Sequence, residues 1–404
     1  AHVGTRIDAG AELFRPKRKG AVDATGIGGA NSRESSRSNS FLIPQFGATK
    51  EISDRITMGL AVTANGGMNT RYGDANGGNG NIFTDAFGPA IPGFVPLVAQ
   101  QLVAQGVAPD LPTALAVVGG NAAALGQNPN ITPALGINLA QALITPTITY
   151  KINDNHAVGF GPVIGWQRFR AYGLGLFQAF SSKPDKVTNN GNDNSVGYGA
   201  RVGYQGTFGM LSVGAVATSK IYMDNFDDYA GLFAEQGDFD IPATFGGGIA
   251  MHFSPRLTLA ADVGRILYSD VNAIANKGPT ADEFFAAFGN ALATANGSLL
   301  PNALGKNAGW GFGWDDVWVY RIGVDYAYSN RWTFRVGFNY AEVPFDDDQA
   351  LFNVLAPAVV EKHATAGFTY SPRQNTEFTV AYIHAFRNDV DKTNIGSGNF
   401  TGLS

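Results

Sequence analysis

Residues 331–343 read RWTFRVGFNYAEV, with a large apolar side chain on every second position: Trp332, Phe334, Val336, Phe338 and Tyr340. Thr333, Arg335, Gly337, Asn339 and Ala341 alternate with them. Alternation of period two over this length predicts a strand with one greasy face and one small or charged face. The pattern recurs at residues 317–326, 377–387, 158–166 and 257–264. Counting such stretches gives roughly thirteen strands, longer than the usual five or six residues, from one near residues 7–16 to one near 376–388.

Short polar turns separate some of these strands: EISDR (51–55), KINDN (151–155), QGTFG (205–209), FSPR (253–256), YSNR (328–331) and SPRQN (371–375). Between consecutive short turns lie a strand, a long irregular segment and another strand. Short and long connections thus alternate, as in an antiparallel barrel whose hairpin turns all lie at one end. Outer-membrane barrels have this asymmetry, with short periplasmic turns and long outer loops. Aromatic residues sit toward the ends of the greasy faces (Trp332 and Tyr340, Trp318 and Tyr328, Tyr382 and Phe386, Trp166), where girdles at the membrane boundaries would place them. The other face carries Arg335, Asn339, Arg321, Asp325, Arg201, Asp262, Glu377 and Arg387. A soluble barrel or sandwich would have to bury either these charges or the aromatics, and an unpaired buried charge costs several kcal/mol. Turning the aromatics to lipid and the charges to a polar lumen removes the conflict. The expected fold is therefore all-β: a single transmembrane antiparallel up-and-down β-barrel over residues 1–404, multi-pass in the outer membrane of a Gram-negative bacterium.

Composition narrows the function. A net charge of -5 with 15% charged residues gives no footprint for nucleic acid. There is no cysteine and there are only five scattered histidines, so no cysteine-ligated metal or histidine cluster is expected. No run of eighteen apolar residues appears, so no spanning helix is expected. The opening AHVGTRIDAGAELF lacks the regions of a secretory signal, which does not imply the cytoplasm because a mature chain looks the same.

Two long connections, about 74–135 and 270–313, carry helical patterns. Val95, Val98 and Leu102 share one helical face, as do Leu111, Leu115 and Val118. Thr280 with Glu283 reads as a capping box, and Phe284, Phe288 and Leu292 follow at helical spacing. Short amphipathic helices outside the barrel follow. They either pack on each other to close its mouth or form an apolar groove that collects a hydrophobic ligand, and the two readings are compatible.

The segments SFLIPQFGATKEISDRITMGLAVTANGGMNT (40–70), INLAQALITPTITYKINDNHAVGFGPVIGWQRFRAYGL (137–174), DVWVYRIGVDYAYSNRWTFRVGFNYAEVPFDD (316–347) and TEFTVAYIHAF (376–386) resemble the FadL-type outer-membrane transporters of long-chain fatty acids and other hydrophobic compounds (the OmpP1/FadL/TodX family). The resemblance runs through nearly the whole chain and implies a barrel of about fourteen strands plugged by an N-terminal hatch. It further implies capture of ligand at outer loops, a lumenal pocket and lateral exit at a kink in the third strand. By position that kink falls at Asn65, Gly66 and Gly67, where glycine permits distortion and leaves no side chain in the gap; the plainer reading is a strand turning into its loop. The sequence departs from the family at both ends, where the hatch and the last strand are not seen, so about thirteen of fourteen strands are expected.

Among polar residues, Arg201, Arg321, Arg335 and Lys220 could bind a ligand carboxylate in the lumen, or pair with acids such as Asp325 and Asp262. Arg168 and Arg170 have lipid-facing parity beyond Trp166 and are expected to reach lipopolysaccharide phosphates. His363 and His384 lack the nucleophile and orienting partner that hydrolysis needs, and no G-x-S-x-G or H-E-x-x-H element appears, so no catalytic residue, metal or cofactor is expected. The expected function is passive uptake of a hydrophobic molecule by a monomer. A general or substrate-specific porin for small polar solutes is the alternative, and a soluble β-helix or adhesin a third.

Overall fold

A computed structural model describes residues 4–73 and 80–390 and two short strands at Thr393–Ile395 and Gly398–Phe400. Thirteen strands follow one another along one antiparallel sheet: β1 (Arg6–Phe14), β2 (Phe41–Ser53), β3 (Ile56–Gly66), β4 (Gly136–Asn153), β5 (His156–Tyr172), β6 (Asp193–Phe208), β7 (Leu211–Thr218), β8 (Thr244–Ser254), β9 (Leu257–Ile266), β10 (Val317–Ala327), β11 (Trp332–Ala341), β12 (Lys362–Arg373) and β13 (Thr376–Ala385). Each pairs with its sequence neighbours, the up-and-down order that the turn pattern predicts. Arg6 on β1 meets Glu377 on β13 at 3.3 Å, so the sheet curls until its two edges face each other. An odd number of antiparallel strands leaves those edges running parallel, and no ladder joins them among the described residues.

The six short turns lie at one end, and four of them have local side-chain chemistry to close them. Ser53 Oγ accepts from Ile56 N at 3.2 Å, Asn153 Oδ1 from Asn155 N at 2.9 Å, Ser254 Oγ from Arg256 N at 3.2 Å and Ser329 Oγ from Arg331 N at 3.3 Å. A short polar side chain that bonds its own backbone two or three residues on replaces a ladder bond and turns the strand. Register shifts of one residue accompany the turns after β2, β4 and β8.

The strand faces sort by chemistry. Tyr320 pairs with Tyr340, Ile322 with Phe338, Val324 with Val336 and Tyr326 with Phe334, and the row continues on β12 and β13 through Phe368 and Val380. The alternate row pairs Asp262 with Arg321, Arg321 with Asn339, Asn339 with His363, and Asp325 with Arg335. Aromatic clusters mark both ends of the apolar face. Trp332 packs on Tyr370 at 4.6 Å between ring centroids beside the short turns, and Tyr320 stacks on Tyr340 at 6.3 Å toward the long loops. From Trp332 to Tyr340 the strand spans about 27 Å, or some 20 Å along the membrane normal at a tilt of about 40°. That is close to the height of an outer-membrane apolar band.

Most of the buried apolar core of the chain lies in the long connections beyond the barrel wall and in the strand ends that meet them. Aromatic contacts tie them together: Phe83 to Phe177 at 5.0 Å, Phe177 to Phe352 at 5.6 Å, Phe180 to Phe284 at 5.7 Å and Phe169 to Phe233 at 4.7 Å. Buried polar groups are satisfied across the same connections. Asn353, fully buried, accepts from Trp314 Nε1 at 2.6 Å and donates to Phe312 O and Gln349 O, while Tyr72 hydroxyl donates to Val354 O at 2.7 Å. The result is a canopy over the barrel mouth. Toward the short-turn end, by contrast, the inward-facing Arg321, Asp262, Arg335 and Asp325 stay exposed in an open lumen.

Three helices of the canopy come from the connection after β3, whose residues 74–79 lie outside the described part: α1 (Ile82–Phe87), α2 (Ile91–Ala104) and α3 (Leu111–Gly126). A fourth, α4 (Ala281–Thr294), comes from the connection after β9. Asn81 caps α1 and Thr280 caps α4, each through a reciprocal capping box. One expectation is corrected in α3, where Ala114 and Val118 turn inward while Leu111 and Leu115 are exposed, because the buried face follows small residues against α2 and α4. A second concerns spanning helices. Ile82–Ala104 runs on for 23 residues at mean hydropathy 1.4, long and apolar enough to cross a bilayer by length and composition, although no eighteen-residue apolar run is present. Its buried residues belong to the canopy core instead.

The face assignment is testable with single cysteines in a chain that has none. An environment-sensitive fluorophore at position 334 is expected to be quenched by brominated acyl chains, and one at position 335 by an aqueous quencher that reaches the lumen; the reverse pattern would show that the apolar row faces the interior.

Candidate lateral opening and ligand crease

The ladder between β2 and β3 starts beside the turn at Ser53 and Ile56 and stops at Phe46 and Val62. Beyond that point β2 stays paired to β1 as far as Phe41, and β3 stays paired to β4 as far as Gly66. The sheet therefore opens between residues 38–45 and 63–70. Above the opening the chain closes again: Arg37 N donates to Arg71 O at 2.7 Å, and Arg71 N to Ser36 Oγ at 3.1 Å. Thr63 through Gly67 are exposed along one side of this window.

Asn65 is the extra residue of a bulge, since the register with β4 slips between Ala64 and Gly66. A bulge bends its strand and re-aims its side chain. Here the side chain joins a row of amides. Asn65 Nδ2 donates to Gln141 Oε1 at 3.0 Å, Gln141 Nε2 to Gln167 Oε1 at 2.9 Å, and Gln167 Nε2 to Phe239 O at 2.9 Å. Gln167 is fully buried and also approaches Ser195 Oγ at 3.4 Å. The row thus runs from the window across three strands to the connection after β7.

The start of that connection prolongs β7 in the sheet, with its Ile221 and Met223 side chains on the inner face. Tyr222–Met223 pairs with Gly197 and Tyr198 of β6, and Ile221 bridges to Ile241. Leu143, Val163, Ile221, Met223 and Ile241 form a small buried cluster of their own. Glycines on the wall make the space: a Cβ on Gly197 would lie 2.2 Å from Tyr222 O and one on Gly165 2.9 Å from Met223 Sδ. The segment is held by Lys220, whose Nζ meets Asp240 Oδ2 at 2.8 Å and Asp270 O at 2.9 Å, and by Asp240 Oδ1 accepting from Met223 N at 2.7 Å. Glu235 and Gln236 carry left-handed φ of 54° and 58°, a strained turn that precedes this segment's return. Beside it, burial and the neighbouring Asp240 carboxylate push the Asp238 carboxyl up to about 6.

At the canopy surface, Ile27, Phe87, Ala90, Phe94, Phe284, Phe285 and Phe288 line a shallow crease. Phe94 stacks on Phe285 at 5.8 Å and meets Phe288 edge-on at 5.5 Å. Of the residues expected in capture loops, Phe284 and Phe288 line the crease. Val98 and Leu292 are buried behind it, and Val95 and Leu102 are half-buried against the core.

The four lumenal cations do not converge on one pocket. Arg321 meets Asp262 at 2.8 Å, and Arg335 meets Asp325 at 2.7 Å while donating to Thr369 Oγ1 at 2.6 Å. Arg201 donates to Thr218 Oγ1 at 2.9 Å and Lys220 holds the segment after β7. Arg168 and Arg170 are exposed on the Trp166 face, with the Arg170 guanidinium 5.7 Å from the Tyr172 ring. Sequence reasoning missed Gln141, Gln167 and the segment after β7. The available signal was a polar residue with lumenal parity in NLAQAL and GWQRF, and a run of lumenal glycines opposite it.

Residues 133–402 match the family model for outer membrane protein transport proteins (OMPP1/FadL/TodX). The chain belongs to this family. Its members are multi-pass outer-membrane channels for hydrophobic compounds in Gram-negative bacteria, not enzymes. Comparison with curated proteins found no match. Solved structures of the same fold include the Pseudomonas putida toluene transporter TodX, at 16% identity and TM-score 0.59, covering 100% of this chain and 87% of that one. A Pseudomonas aeruginosa FadL homologue is similar at 15% identity and TM-score 0.57, covering 98% and 85%. The Ralstonia pickettii toluene transporter TbuX follows at 15% and 0.53, covering 100% and 88%.

Two outcomes follow for the family member described here. Gln141→Leu removes the central amide and leaves buried Gln167 short of a partner, so unfolding in detergent is expected to become easier by about 1–3 kcal/mol; no change would mean that the row carries no load. Asp238 binds a proton more readily folded than unfolded, so stability is expected to fall as pH rises from about 4 through about 6. Asp238→Asn is expected to flatten that slope in thermal melts across this pH range.

Proposed function

We propose that the protein is a passive, monomeric channel that takes up a small hydrophobic molecule, a long-chain fatty acid or an aromatic or aliphatic hydrocarbon. The ligand is collected at the canopy, passes into the lumen and leaves sideways into the bilayer between β2 and β3. The interruption of the β2–β3 ladder after Phe46 and Val62, beside the bulge at Asn65, is the observation that carries this reading. In hydrocarbon an unpaired strand edge is costly, so an interruption held open by a dedicated hydrogen-bond row is better explained by passage than by accident.

The phenylalanine crease supports capture. The crease is shallow, so a ligand touching it buries little apolar surface and binding there is weak and reversible. Weak binding suits a first station that must hand its ligand on. No energy source or cofactor is needed, because partition into lipid drives the last step. Arg168 and Arg170 would sit against lipopolysaccharide and surrounding lipid as snorkelling cations. The packed apolar canopy over the mouth argues against a general porin, which requires an open water-filled path.

Gly66 offers the cleaner test of lateral exit. A Cβ there meets only Gln141 Oε1 at 3.7 Å, whereas one on Gly67 falls 2.9 Å from Leu139 O and would move backbone. Gly66→Trp is expected to cut uptake of radiolabelled oleate or toluene by about tenfold or more in cells whose variant inserts and migrates as a folded barrel. Gly67→Trp is expected to do the same with some loss of stability. Unchanged uptake by a correctly inserted Gly66→Trp protein would sink the idea.

A further inference from the structure

The connection between β1 and β2 carries charge that uptake does not require. It folds as a hairpin, Lys19–Asp23 against Asn31–Ser35, with Lys19 opposite Ser35 and Ala21 opposite Arg33. Ser36 N donates to Arg18 O at 2.8 Å and carries the pairing one step further, so Lys17 and Arg37 extend the same row. Gly20, Val22, Ser32 and Ser36 on one face are buried in the canopy, while Lys17, Lys19, Arg33 and Arg37 on the other are exposed. Arg71, bonded through its carbonyl to Arg37 N, adds a further exposed cation. None of these five forms an ion pair with a described residue, although the chain as a whole has net charge -5. The one acid of that face, Asp23, is already engaged by Thr25 Oγ1 at 2.6 Å and Asn31 Nδ2 at 2.8 Å.

The height of this face in the membrane is fixed by its neighbours. The hairpin follows directly on Phe14, the last residue of β1, whose ring lies 6.2 Å from Phe41 at the start of β2. Arg18, half-buried, places its guanidinium 5.9 Å from the Phe41 ring and donates to Ser38 O at 2.7 Å. Aromatic residues at a strand's outer end mark the boundary between acyl chains and headgroups. A cationic sheet face immediately beyond them stands at the level of the outer leaflet's phosphates.

We propose that this face is a docking site for the phosphate groups of outer-leaflet lipopolysaccharide, with Lys17, Lys19, Arg33, Arg37 and Arg71 as its contacts. Neighbours along one face of a strand are about 6.8 Å apart and those across a pair about 5 Å. A plane of cations at that spacing fits several phosphates at once, whereas one ligand carboxylate is satisfied by a single guanidinium fork. Because Arg37 and Arg71 close the top of the β2–β3 window, bound lipid would brace the upper rim of that opening. The site itself does not depend on lateral release: it rests on the barrel's orientation in the outer membrane.

The test titrates full-length protein in non-ionic detergent with bisphosphorylated lipid A, and with the same lipid A stripped of both phosphates, and reads bound lipid by native mass spectrometry. The phosphorylated lipid is expected to bind about tenfold tighter or more, and the triple variant Lys17→Glu, Lys19→Glu, Arg33→Glu to lose that preference. The milder pair Lys17→Gln and Lys19→Gln is expected to lose part of it, and Arg256→Glu at the short-turn end none. Heat-modifiable migration on gels checks that each barrel is folded. Equal binding of the two lipids, or undiminished preference in a folded triple variant, overturns the proposal. Displacement of lipid A by oleate at equal concentration would overturn it in favour of a carboxylate site, and displacement by inorganic pyrophosphate in favour of a soluble anion. Uptake through the window is measured separately, so either reading can fail alone.

Discussion

Inside hydrocarbon a backbone amide has no water to fall back on, so every strand that crosses the membrane must find its bonds on both sides. This requirement explains why the thirteen strands pair strictly with their sequence neighbours; at the two outer edges, which no ladder joins among the described residues, Arg6 and Glu377 bridge the ends of the sheet. It also makes any interruption informative. Where the ladder between β2 and β3 ends after Phe46 and Val62, the freed edges are not left to chance: β1 and β4 hold the outer sides, and Arg37 and Arg71 re-close the chain above.

The same constraint displaces the hydrophobic core. A barrel wall with lipid outside and a polar lumen inside has no dry interior to fill, so burial of large apolar side chains has to happen elsewhere. The long connections supply it. Phe83, Phe177, Phe352, Phe180 and Phe284 come from four different connections yet form one continuous aromatic contact set. A canopy built this way interlocks ring on ring, including at the shallow surface crease lined by Phe94, Phe285 and Phe288.

The segment after β7 connects these two regions. Its start prolongs β7, with Ile221 and Met223 packed against glycines of the neighbouring strands, and its carbonyl at Phe239 terminates the amide row that begins at Asn65. The bulge at the window and the fold of this segment therefore share hydrogen bonds.

Much of this architecture is written in local sequence. Residue alternation specifies strand and face together, since period two needs no knowledge of distant partners, and short polar residues such as Ser53, Asn153 and Ser254 specify their own turns. The capping box at Thr280 and Glu283 is equally local. What the tertiary structure alone decided is where pairing stops and which buried polar groups meet. Arg321 and Arg335 face Asp262 and Asp325 as strand parity allows, but nothing local joins Asn65 to Gln141 and Gln167 or ends the β2–β3 ladder after Phe46 and Val62. Such outcomes depend on partners tens of residues away, whose register is set by the pairing of the whole sheet and not by any stretch of chain read by itself.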